Sequence, residues 1–68
     1  MMTEPPQEEL RAAEAVREAC IRAALDGYER AAMSGLCAEG AWEAAISAIR
    51  MVDLRSVLDA PRQSRSNV

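Results

Sequence analysis

From Leu10 to Met33 the chain runs without a proline, and Ala, Arg, Glu and Leu, all good helix formers, supply most of the stretch. Apolar residues recur through it every three or four positions, the spacing of an amphipathic α-helix. Pro6 followed by Gln7-Glu8-Glu9 marks the start, because proline tolerates a first helical turn and carboxylates favour its positive end. Ser34-Gly35 marks the stop: glycine takes the left-handed conformation beyond the last turn, and Leu36 can fold back on that turn as an apolar clasp. The first helix is therefore expected to span about 28 residues, roughly 42 Å.

Set at 100° intervals, Leu10, Ala13, Val16, Cys20, Ile21, Ala24, Leu25, Tyr28, Ala31 and Ala32 share one broad face. Glu8, Arg11, Glu18, Arg22, Asp26 and Glu29 share the opposite one. Ala13, Cys20, Gly27 and Ser34 recur every seven residues, a strip small enough to admit a neighbouring backbone. Glu14 and Arg17 interrupt the stripe three residues apart, where they can pair with each other or with a partner chain.

A second helix is expected from Cys37 or Ala38, with Ala38, Trp42, Ala45, Ile49 and Val52 as its heptad seam and Glu43, Ser47 and Arg50 as its wet side. Met51, Leu54 and Leu58 fall on a different face, which places a bend near Asp53. Asp53 can cap a short third helix over Leu54 to Asp59, ended by Pro61. The connection from Ser34 to Cys37 is too short for anything but an antiparallel pairing.

The expected fold is all-α: an antiparallel two-helix hairpin with a short third C-terminal helix, assembling into a four-helix bundle. Residues 1–5 read as a flexible leader, 6–60 as the hairpin domain and 61–68 as a disordered, weakly basic tail. A chain of 68 residues rarely gains more than about 3–5 kcal/mol from one core, so a second source of stability is needed. There is no His, and Cys20 and Cys37 are half of a four-ligand zinc site, which disfavours a metal held by one chain. Met33 and Met51 are expected to pad the ends of the hairpin.

The opening Met1-Met2-Thr3-Glu4-Pro5-Pro6 has neither the basic nor the apolar region of a secretory signal, and no apolar run approaches the roughly 20 residues of a membrane span. The expectation is a cytoplasmic protein with reduced thiols, stabilised by association. Absence of Lys and Phe beside abundant Ala and Arg suggests a GC-rich, bacterial genome. A net charge of −3 with interspersed signs is a solubilising balance, not the footprint of a nucleic-acid binder.

The chemistry that the residues could carry is sparse. Cys37 at a helix start is a candidate reactive thiol, since a helix N-terminus favours a thiolate; no His or Lys stands by as a base, and Glu39 adds negative charge beside it. A bridge to Cys20 would have to close more than the roughly 7 Å limit between α-carbons, and Cys20 reads better as core filler. The carboxylates scatter along a solvated face without the shared pocket that a catalytic pair requires, so no enzyme activity and no cofactor is expected. The first expectation is an interaction protein, an accessory subunit, adaptor or regulator, that homodimerises or docks on a larger protein through Leu10, Ile21, Leu25, Tyr28, Trp42, Ile49 and Val52. Trp42 would be either an anchor in a partner's pocket or the central core residue of the hairpin. The alternatives are a redox or metal-sensing module using Cys37 and Cys20, and a transcription-associated or antitoxin-like regulator whose tail, with Arg62 and Arg65, orders on binding.

Overall fold

In the computed structural model, residues 6–60 are described, and they form three helices and no strand. These are α1 (Gln7–Met33), α2 (Ala38–Arg50) and α3 (Leu54–Asp59). The expected leader, the tail and the stop at Pro61 lie outside the described residues. Pro6 occupies the cap position and not the first turn; its carbonyl accepts the Leu10 N–H at 3.0 Å, with Glu8 and Glu9 in the turn that follows.

The end of α1 is a complete Schellman arrangement. Gly35, at φ +96°, donates its N–H to the Ala32 carbonyl, and the Leu36 N–H reaches the Ala31 carbonyl at 3.1 Å. The Leu36 side chain then comes to rest over Gly40 in the first turn of α2, in space that a β-carbon at position 40 would crowd. This turn reverses the chain and sets α2 antiparallel against the C-terminal half of α1. At the far end Asp53 caps α3, its Oδ1 accepting the Ser56 N–H at 3.2 Å, and α3 folds back onto α1. Asp53→Ala is expected to cost about 1 kcal/mol, confined to α3. Amide exchange at Ser56 and Val57 should quicken while α1 and α2 keep their protection.

Helices α1 and α2 meet through their smallest side chains. Ala41 and Ala45 of α2 and Ala31 of α1 are the fully buried apolar residues among those described. Around them lie half-buried Ala24 and Gly27 of α1, with Gly40, Ala44 and Ala48 of α2; Ala12, Ala15, Val16, Ala19, Cys20 and Ala23 of α1 are half-buried as well. At Gly27 the two backbones come so close that an added β-carbon would stand 2.9 Å from the Ala48 Cβ and 3.1 Å from the Ala44 carbonyl oxygen.

The expected seam of α2 is corrected by this packing. Ala45 is buried as anticipated, but Trp42 is 62% exposed and Ile49 38%. The helix is rotated by roughly 70° from the expected orientation, so that Ala41, Ala44, Ala45 and Ala48 face α1. Trp42 is therefore not the central core residue of the hairpin. Two helices cannot enclose an indole, which needs a third wall, whereas alanines let the helices close on each other directly. Met33 and Met51, expected to pad the ends, are largely exposed.

Candidate functional site

Six of the twelve exposed bulky apolar side chains among the described residues form a face of their own. On α1, Ile21, Leu25 and Tyr28 stand at spacings of four and three; on α2, Trp42, Ile46 and Ile49 repeat the same spacings. All six are exposed, Leu25 by 64% and Tyr28 by 39%. On each helix this ridge lies roughly 100–140° around from the alanine seam. Antiparallel helices viewed from one end wind in opposite senses, so equal rotations carry both ridges to the same side of the hairpin. Tyr28 and Trp42 accordingly line one open, almost wholly apolar depression together with Ala38 and Glu39.

Contact of Gly27 with Ala44, Ala45 and Ala48 sets the relative height of the helices. Ile21 then stands within about a turn of Ile49, Leu25 of Ile46, and Tyr28 of Trp42. The face is two short rows of three, side by side. No charged residue falls within either row; Glu39 lies at the rim.

Of the residues singled out from the sequence, Ile21, Leu25, Tyr28, Trp42 and Ile49 are brought together here. Leu10 is exposed on the same flank of α1, further toward its N-terminus, with Glu14 and Arg17 between it and Ile21. Those two do not pair with each other; the ion pair recorded among the described residues joins Arg30 to Asp26 at 3.1 Å and is well exposed, which makes it worth little. Val52 departs from the group: it is half-buried at the junction of α2 and α3. Ile46 was missed, although its position four after Trp42 and three before Ile49 marks it as their neighbour.

No family model, curated protein or solved structure shows a significant match to the chain. The site's chemistry therefore rests on its own residues. Cys37 is the exposed N-cap of α2 and Cys20 is half-buried in the alanine seam of α1; both thiols are free. Among the described residues no three of His, Cys, Asp and Glu gather as metal ligands. A second depression, lined by Ala19, Arg22, Ala23 and Asp26, is shallow and lies on the charged side of α1. No helix among the described residues is long and apolar enough to cross a membrane.

Proposed function

We propose that this chain is a non-enzymatic protein-interaction module that works through the face made by Ile21, Leu25, Tyr28, Trp42, Ile46 and Ile49. One observation carries the reading: the hairpin closes on alanines, and six of its exposed bulky side chains stand together on one side. A buried alanine methyl contributes on the order of 0.8 kcal/mol, while fully covering a single Ile, Leu or aromatic side chain contributes about 1.5–3 kcal/mol. The six ridge residues are about two-fifths to two-thirds exposed, so a comparable share of that stabilisation remains to be gained when something covers the outer face. Contiguous apolar surface on a small protein is the usual mark of an interface, and aromatic residues favour its centre.

A photo-crosslinking amino acid introduced at Leu25 and expressed in the protein's own cells tests this directly, with exposed Arg30, on the far side of α1 from the ridge, as the control site. The expected result is a protein adduct from position 25 and none from position 30. Free chain alone at position 25, with the hairpin folded, would overturn the interaction reading.

A further inference from the structure

We infer that the partner covering this face is a second copy of the chain, joined about a twofold axis parallel to the helices to give a four-helix bundle. The inference rests on the interaction reading above and adds the identity of the occupant. Its first support is the match between the rows. Both carry three bulky residues spaced four and three, standing at similar heights. A half-turn about the long axis of the hairpin lays the α1 row of each protomer on the α2 row of the other, with antiparallel neighbours throughout. Leu25 then meets Ile46 of the other copy and Ile46 meets its Leu25, the reciprocity that an isologous interface requires.

The second support is charge. A twofold axis brings the groups beside it close to their own copies, so a charged centre would repel itself, and the chain as a whole carries −3. The two rows contain no charge; the charges in line with the α1 row, Glu14 and Arg17, are one of each sign and stand beyond its Ile21 end.

The third is area. Six side chains, each of roughly 150–250 Å² and about two-fifths to two-thirds exposed, offer on the order of 600 Å² per protomer. Complete coverage of two such faces would bury at most about 1,200 Å², which reaches the lower bound for a stable, specific association.

Light scattering on the full chain across the micromolar range is the test. The wild-type chain is expected at twice its own mass. Leu25→Lys alone and Ile46→Glu alone should each weaken association roughly 30-fold or more, the effect of losing a central anchor. Both positions are exposed in the single hairpin, so its helical circular dichroism should survive; Leu25→Ala, a milder change that favours helix, guards against misfolding and should weaken association about tenfold. Mixing the Leu25→Lys chain with the Ile46→Glu chain should restore a dimer containing one of each. A helical wild-type chain that stays at single mass, or a dimer indifferent to all three substitutions, would overturn the inference. If the chain stays single while position 25 crosslinks to a different protein in cells, the second-copy inference fails and the interaction reading stands.

Discussion

Gly27→Leu is expected to unfold the hairpin or to lower its melting temperature by about 10–20 °C, a loss of about 2–3 kcal/mol in a domain this small. Glycine in the middle of α1 normally costs about 1 kcal/mol against alanine, so its presence calls for a reason. That reason is the approach of α2: a β-carbon at position 27 stands 2.9 Å from the Ala48 Cβ and 3.1 Å from a backbone oxygen that no rotamer change can move. A leucine side chain must push the helices apart and unseat the buried alanines on either side. Thermal melts followed by circular dichroism measure the effect. A melt unchanged from wild type would show that α1 and α2 do not meet at Gly27.

A second large effect is expected from Ala41→Glu, and its strength lies in the contrast with the adjacent Trp42→Glu. Ala41 is 1% exposed against α1, with no basic side chain in the alanine seam around it. A carboxylate there is left without a partner in a dry contact, at a cost of several kcal/mol, enough to abolish cooperative folding. Trp42 is mostly solvated in the single hairpin, and its replacement should change the stability of that hairpin by only about 0.5 kcal/mol. Comparing the two melts at dilutions low enough to prevent association separates seam from outer face. If Trp42→Glu unfolded the dilute hairpin and Ala41→Glu did not, the rotation of α2 described here would be wrong.

The elements themselves were legible in the sequence because each has a local cause. Ser34-Gly35 ends α1, Ala38 opens α2, and Asp53 caps α3, and these are the boundaries found. Val16, Cys20, Ala24, Ala31 and Ala45, expected on inward faces, are half-buried or buried. The rotation of the helices was not legible, because both carry two apolar strips: one of alanine, one of bulky residues. Transfer free energy favours burying the bulky strip, and periodicity cannot say whether a strip is buried against the same chain or against another. A seam drawn through Trp42, Ala45 and Ile49 steps over Ile46, and so mixed one residue of the inner strip with two of the outer. The cue that distinguished them was Gly27, a helix-weakening residue in register with the small strip and not with Tyr28 or Leu25.

The division between alanine inside and bulk outside also divides the entropy of the molecule. An alanine has no rotamers to lose, so zipping α1 to α2 immobilises backbone but almost no side-chain motion. Leu25 and Trp42, the most exposed of the ridge, keep more of their torsional freedom in the solitary hairpin than a covered face would allow. If the proposed second copy covers the face, its docking adds a further negative heat-capacity change of apolar dehydration to that of folding, and cooling should weaken the contact between molecules.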